Sequence, residues 1–334
     1  MPEVSPNDST ERFADADAYQ APRHDPAWRR YLRATYLIIG TISFGGLLVR
    51  ASVADRWIVL ATLFYATPWP LLVVGCAVSV GLTALLRWFA QTSMWCVLLL
   101  IAASLCWQTQ WFANTPRAER ADEVTVMFWN AARRTDMTLA AEFINTQDAD
   151  IVGLVEAGSA KPQARQFWRE HCPKYDVSFL GGGLILLTKG TSGTSTPGDL
   201  GHQSFYRWIP VQVRGQELQC VVVDLKSDPY YSRRSVLGNL AGDMETLNDQ
   251  PVLIMGDFNT PTDSVHFGAL RQRHRELFEA TGQGYSPTWP HPVPVLTLDQ
   301  MWANEWIVPL ECRRIAPVNS DHQAVWCRIA IQGG

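Results

Sequence analysis

The chain has 334 residues, with 28 Lys and Arg against 32 Asp and Glu, a net charge of −4, and only 18% of its residues charged. A protein that grips duplex DNA by its phosphates needs a basic stripe. None is evident, so tight general DNA binding is not expected. The seven cysteines show neither Cys-x-x-Cys nor Cys/His zinc spacing, which argues against a structural metal.

From the N-terminus, residues 1 to about 30 are polar and carry Pro2, Pro6, Pro22 and Pro26. That composition predicts a disordered tail. Three uncharged blocks follow, at 34–49, 57–86 and 89–113, the second broken by Pro68-Trp69-Pro70. A bilayer core of about 30 Å takes roughly 17–25 mostly apolar residues per helix. The first and third blocks supply one span each. In the second, residues 57–67 are expected to lie at the interface and 70–87 to cross. A single tilted helix or re-entrant loop over 57–86 is the alternative, giving two spans. A cleaved signal peptide fits poorly, because the first apolar run starts late. Arg29, Arg30 and Arg33 precede the first span and Arg87 lies between the second and third. The first loop holds Arg50, Asp55 and Arg56, and mixed charges (Arg117, Glu119, Arg120, Asp122, Glu123) follow the third span. The positive-inside rule then places the N-terminus in the cytoplasm and everything after the third span outside it. The expected organisation is a tail over 1–30, a multi-pass membrane region over 31–113 and one domain over 114–334.

The domain reads as strands with polar ends. Val124-Thr125-Val126-Met127-Phe128-Trp129-Asn130 ends on an amide, and Ile151-Val152-Gly153-Leu154-Val155-Glu156 on a carboxylate. Residues 205–213 and 217–223 form an expected hairpin around Arg214-Gly215, and 233–247 carry apolar residues at helical spacing. Val252-Leu253-Ile254-Met255-Gly256-Asp257-Phe258-Asn259 is an apolar strand that stops at a glycine. Asp257 and Asn259, two residues apart on extended chain, share one face. An acceptor-only carboxylate beside an amide suits a water, a metal or a phosphate oxygen; an Asx turn capping a buried strand is the alternative. Asp299 sits in the apolar run Leu298-Asp299-Gln300-Met301-Trp302, and Asn319-Ser320-Asp321-His322 leads into the last strand. Each of these residues could be a strand-end or turn residue. Together they offer hard oxygen ligands for Mg²⁺ or Mn²⁺, a His for proton traffic and amides for phosphate, which fits metal-assisted phosphate hydrolysis. Cys312 and Cys327 fall in the last two strands with a turn between them. They would be opposed as a disulfide or remain two buried thiols.

The ordered set Asn130, Glu156, Gly256-Asp257-Phe258-Asn259, Asp299 and Ser320-Asp321-His322 resembles the endonuclease/exonuclease/phosphatase superfamily from about Glu123 to about Ile331. The resemblance implies a four-layered α/β sandwich, two mostly antiparallel sheets flanked by helices, here preceded by N-terminal transmembrane helices. It also implies a site where the strand ends of the two sheets converge. Glu156 would be the principal Mg²⁺ ligand, with Asn130 and Asp321 close to the metal. Asp257 would position or activate the attacking water, Asn259 would hold a phosphate oxygen, and His322 would be the catalytic histidine oriented by Asp299. Many members carry a second His at the end of a central strand. Here that strand reads Cys220-Val221-Val222-Val223-Asp224-Leu225-Lys226 and has none. Lys226 would stand in as a point charge or lie on the solvated strand end. Arg233 and Arg234 would reach a phosphate at the site mouth or form surface ion pairs, and Trp289 would wall the pocket or pack under a loop.

The expected function is that of a membrane-anchored Mg²⁺-dependent phosphodiesterase or phosphatase. Its expected partners are the lipid bilayer and a phosphate ester, a lipid headgroup or small phosphodiester ahead of nucleic acid, with no protein partner. An extracytoplasmic nuclease and a non-catalytic membrane scaffold that retains the fold are the alternatives.

Overall fold

A computed structural model of the chain describes residues 26–118, 122–133, 137–158, 160–317 and 319–332. The first 25 residues of the expected tail lie outside these. Helix α1, Ala27–Ser52, starts directly after Pro26, earlier than the uncharged block. Arginines are good helix formers, so Arg29, Arg30 and Arg33 extend the helix ahead of its apolar part. Helix α2, Ile58–Ala66, is followed at once by α3, Trp69–Leu85, with a proline in its first turn. The pair is bent by 69°, as a proline pair forces. Helix α4, Phe89–Gln110, returns antiparallel to α3. Helices α1, α3 and α4 pack through Cys76, Trp95 and Ala102, with Tyr36 against Trp95. Gly75 lets α3 close on Ser43. Their outward residues, among them Leu37, Ile38, Leu48, Val74, Val97 and Leu100, are apolar and exposed. Two helices, α1 and α4, are long and apolar enough to cross a membrane, or three spans result if the bent pair counts as one.

Strand β1, Trp111–Ala113, leaves α4 directly. The domain that follows comprises β2 Glu123–Asn130, α5 Thr138–Gln147, β3 Ile151–Val155, α6 Pro162–His171, β4 Asp176–Gly181, β5 Leu184–Thr188, β6 Thr191–Ser192, β7 Thr196–Gly201, β8 Ser204–Val213 and β9 Gln216–Asp224. It continues with α7 Arg233–Met244, β10 Val252–Asp257, β11 Arg275–Glu276, α8 Leu277–Thr281, β12 Gln283–Tyr285, β13 Asp299–Ala303, β14 Ile307–Ile315 and β15 Ala324–Ile331. Strands β1 and β12 pair as a small ribbon, and the rest form two sheets. One runs β14-β15-β2-β3-β5-β4, the other β11-β13-β10-β9-β8-β6 with β7 also on β8.

Each large sheet is antiparallel except for one pair, β2–β3 or β9–β10. Each parallel pair is bridged by a helix, α5 or α7, as a crossover between parallel neighbours requires. The strands' alternation sorts residues into layers. Val124, Val126, Phe128, Cys220, Val222, Leu253 and Met255 meet between the sheets. Met127, Trp129 and Leu154 face α5 and α6, while Val221, Val223 and Ile254 face α7. The result is the expected four-layered α/β sandwich. The β8–β9 hairpin closes through Arg214 (φ 50°) and Gly215 (φ 75°), the two positive φ values of a type I′ turn. Cys312 and Cys327 are direct cross-strand partners and form a disulfide.

The N-terminal helices are bonded to the domain. Arg50 of α1 pairs with Asp263, and Asp55, in the α1–α2 loop, accepts from Ser264 Oγ and from the Val265 amide at 3.1 Å. Below them, the Ser286 amide donates to Gln110 O at 2.8 Å.

Candidate active site

The inner-face alternation carries polar residues to the ends of the strands. Asn130 follows Phe128 on β2, Asp224 follows Val222 on β9, and Asp257 follows Met255 on β10. Because β13 runs antiparallel to β10, its first residue, Asp299, lies level with Asp257. Asp224 is in register with Asp257 on the other side. Glu156 breaks the rule: on β3 its parity points it toward α5 and α6. It adopts φ 55°, a left-handed turn that redirects the carboxylate into the cleft between the sheets.

That cleft has a volume of about 830 Å³. Of the residues expected from sequence, Asn130, Glu156, Lys226, Asp257, Asn259, Asp321, His322 and Trp289 line it. Asp299 stands behind, 0% exposed, with its Oδ2 2.8 Å from His322 Nδ1. The His322 loop is pinned from three directions: the Ser320 hydroxyl accepts from the His322 amide (3.0 Å) and donates to Asn130 O (2.8 Å), and Trp129 Nε1 donates to His322 O (3.1 Å). Asp257 accepts from Asn130 Nδ2 at 3.0 Å and from the Asn259 amide at 2.9 Å. Asn259 Nδ2 donates to Leu225 O at 2.7 Å, tying the β10 end to the β9 end. Trp289 Nε1 donates to Asp321 Oδ2 at 3.1 Å, so this ring holds a site carboxylate as well as walling the cleft.

The electrostatics follow from crowding acids at the base of the cleft. Burial, then Asp299, raises the Asp257 carboxyl to about 7, against the pull of His322 and the Asn259 amide. Burial alone would depress His322, but the Asp299 carboxylate outweighs it and lifts the imidazole to about 10. At neutral pH the ring is therefore a cation held against Asp299. Burial and then the neighbouring Glu156 raise Asp224 to about 6. Across the mouth, Arg133 Nη2 lies 3.1 Å from Glu156 Oε1, an exposed guanidinium on a half-buried carboxylate that offsets little of this charge.

Several lining residues were not expected. Asp224 is the last inner-face position of β9 and occupies the strand end where the resemblance sought a histidine. Lys226, two residues beyond, is exposed at the mouth. Alternation counted from Cys220 and Val222 would have found Asp224. Of the two readings of Arg233, the cleft holds over the surface ion pair: the residue is 2% exposed and lines the cleft, while Arg234 is exposed. Thr62, Tyr65 and Ala66 of α2 also line it, and no local signal marks them.

The donor set fits a hard divalent cation. Glu156 and Asp224 are adjacent carboxylates whose repulsion such a charge would relieve. Asp257, Asp299 and His322 also present ligand atoms within 4.8 Å of one another, and Asp299 Oδ1 is buried without a hydrogen-bond partner. The His322–Asp299 hydrogen bond uses the one imidazole nitrogen on that side, which suits proton handling better than ligation.

A family model for the endonuclease/exonuclease/phosphatase family matches residues 127–322. Among solved structures, an endonuclease/exonuclease/phosphatase from Bacteroides vulgatus superposes with a TM-score of 0.53 at 15% identity, covering 63% of this chain and 99% of that one. A mannosyl-6-phosphatase from Bacteroides thetaiotaomicron gives 0.52 at 13% identity over 62% and 100%. D. rerio TDP2 complexed with a single-strand DNA product gives 0.50 at 15% identity over 62% and 98%. No curated protein sequence matches the chain.

Proposed function

This chain belongs to the endonuclease/exonuclease/phosphatase family, and we propose on that premise that it is a membrane-anchored, Mg²⁺-dependent hydrolase of phosphoric esters. The observation that carries the reading is the buried His322–Asp299 pair facing Asp257 and Asn130 across one cleft. Asp257, held by the Asn130 side chain and the Asn259 amide and raised to about 7, orients a water and takes its proton near neutral pH. His322, kept cationic by Asp299, neutralises a phosphate oxygen as charge builds in the in-line displacement. Asn259 holds a further phosphate oxygen, and Lys226 adds screened positive charge at the mouth. Glu156 and Asp224, with Asn130 and Asp321, would hold Mg²⁺. That ion would supply charge neutralisation and polarise the phosphoryl oxygen.

A bilayer location is supported by α1 and α4. The C-terminal end of α1, the N-terminal end of α3 and the C-terminal end of α4 gather at Pro261, Thr262 and Asp263 of the domain. That arrangement suits three crossings with α2 at the surface. Arg29, Arg30, Arg33 and Arg87 then lie at the far end, which the positive-inside rule makes cytoplasmic. The Cys312–Cys327 disulfide agrees with an oxidising, extracytoplasmic side for the domain. The low charge content of the sequence, with no basic stripe evident along it, favours a lipid headgroup or small phosphodiester. The fold match to TDP2 in complex with single-strand DNA keeps an extracytoplasmic nuclease as the second reading.

The test is hydrolysis of an aryl phosphodiester and an aryl monoester by the full chain in detergent micelles. Turnover should require Mg²⁺, stop with EDTA, and fall by about 10²-fold or more in Asp257→Asn and in His322→Ala. A folded wild type that binds Mg²⁺ but cleaves neither ester nor an oligonucleotide would leave the scaffold reading.

A further inference from the structure

Helix α2 is nine residues long and lies 69° away from the direction of α3. The bend turns it out of the helix bundle and onto the domain. Its inner side supplies Thr62, Tyr65 and Ala66 to the cleft. At its beginning, Trp57, Ile58 and Val59 are exposed, Val59 at 84%, an aromatic and two aliphatic side chains suited to the bilayer surface. The helix is fixed in this position by buried charge. Arg50 donates to Thr67 O (2.7 Å) and Phe64 O (2.9 Å) and pairs with Asp263. The Tyr65 hydroxyl donates to Asp55 Oδ2 at 3.0 Å, and the same carboxylate is bonded to Ser264 and Val265 of the domain.

Arg233 stands where α2 meets the catalytic strand ends. As the first residue of α7 it is buried, and its Nη2 donates to Asn259 O at 3.2 Å. The Tyr65 phenol and the Asp257 carboxylate both act on its charge, and burial, the largest influence, lowers its pKa. Nε and Nη1 have no hydrogen-bond partner, although the residue lines the cleft. A buried guanidinium with unpaired N–H groups is costly, and an anionic oxygen is the partner its chemistry calls for.

We infer that Arg233 and α2 together form the substrate subsite, which takes an anionic phosphoester amphiphile from the bilayer surface. The inference rests on the hydrolase reading. The guanidinium binds a phosphate-group oxygen of the headgroup. The α2 wall sets that headgroup against Asp257 and His322 while the hydrocarbon chain stays in lipid. Tyr65 couples the two parts, linking the surface helix to the arginine and, through Asp55, to the domain.

The experiment uses the full chain in phosphatidylcholine vesicles, with Mg²⁺ and two 4-methylumbelliferyl phosphodiesters. Their second ester group is hexadecyl in one and methyl in the other. The wild type should show a KM for the hexadecyl ester lower by about tenfold or more. Arg233→Gln should raise KM for both esters by about tenfold, with a smaller change in kcat. Thr62→Trp, which narrows the α2 wall without disturbing the domain core, should raise KM for the hexadecyl ester more than for the methyl ester. Metal-dependent hydrolysis with equal KM for the two esters, or with KM untouched by both variants, overturns the inference while leaving the hydrolase reading intact. Hydrolysis of neither ester by the folded wild type overturns the inference, and the hydrolase reading falls with it only if an aryl monoester and an oligonucleotide are also left intact.

Discussion

Asp224 ends β9 on the same face as Cys220 and Val222, level with Asp257 on β10 and beside Glu156 from the opposite sheet. Lys226 continues that face past the last ladder bond and ends in solvent. The two residues therefore differ in what the surrounding dielectric does to their charge. A half-buried carboxylate at the base of the cleft acts on the site strongly, and an exposed ammonium is screened. Asp224→Ala should raise the Mg²⁺ concentration for half-maximal turnover by about 10- to 100-fold or more, since loss of a ligand costs at least as much as loss of a residue that supports one. Lys226→Ala should change turnover only about two- to threefold, as an exposed substitution worth roughly 0.5 kcal/mol does. A Mg²⁺ titration of both variants decides it, and a larger loss in Lys226→Ala would reverse the assignment. Glu156 makes a different point about single residues. Its carboxylate was recognisable as a strand-end acid, but its direction depends on a positive φ that strand parity does not predict.

Among the elements, α8 shows how a short helix can carry a pH dependence for the fold. Glu276 precedes it and caps it, accepting from the Glu279 amide at 2.6 Å. Its other oxygen, Oε1, is buried without a partner. Burial and then Glu279 raise this carboxyl from 4.5 to about 7, in spite of nearby Arg314. A raised carboxyl pKa means that the folded state holds its proton longer than the unfolded state. The associated stability is full below about 4.5, is lost as pH rises to about 7, and is flat above. At about 1.4 kcal/mol per pKa unit, the loss is on the order of 3 kcal/mol. Glu276→Gln keeps an acceptor for the Glu279 amide and removes the titration. Thermal melting of the full chain should show the variant gaining on the wild type at pH 8 and not at pH 4; a gain equal at both values would remove Glu276 as the cause. The helices before the domain follow simpler rules. Pro68 and Pro70 divided α2 from α3 where the sequence placed the break, while α1 began sooner because arginines continue a helix that charge counting had ended.

For the molecule as a whole, the orientation of the apolar N-terminal helices and the position of the cleft are linked. Arg50, Asp55, Trp69 and Gln110 all lie at the domain end of the bundle, so the first loop and the domain occupy one side. With three crossings, the N-terminus occupies the other. Sealed inside-out membrane vesicles carrying the chain with an epitope at either end should lose the N-terminal epitope to added protease and keep the C-terminal one. The reverse pattern would place the domain in the cytoplasm and remove the argument from the Cys312–Cys327 disulfide. The same linkage explains the size of the site. A domain without α2 would lack Thr62, Tyr65 and Ala66 from its cleft and Tyr65 from beside Arg233.

Much of this protein could be read before any coordinates, because alternation, proline breaks and uncharged runs are local properties. They specified the strands ending in Asn130, Glu156 and Asp257, the hairpin at Arg214-Gly215, the helix break at Pro68-Trp69-Pro70 and the opposition of Cys312 and Cys327. Order along the chain was enough to join Asn130, Glu156, Asp257, Asp299 and His322 into one expected site. What remained was decided by the approach of segments distant in sequence. Pairing of β9 with β10 put Asp224 in the cleft, packing of α2 against the start of α7 buried Arg233 with Nε and Nη1 left without partners, and Asp55 and Arg50 bound α2 and its flanks to residues more than two hundred positions away. Local pattern determines which face a residue occupies within its own element. Desolvation and charge coupling depend on what covers that face, and only the tertiary structure supplies the cover.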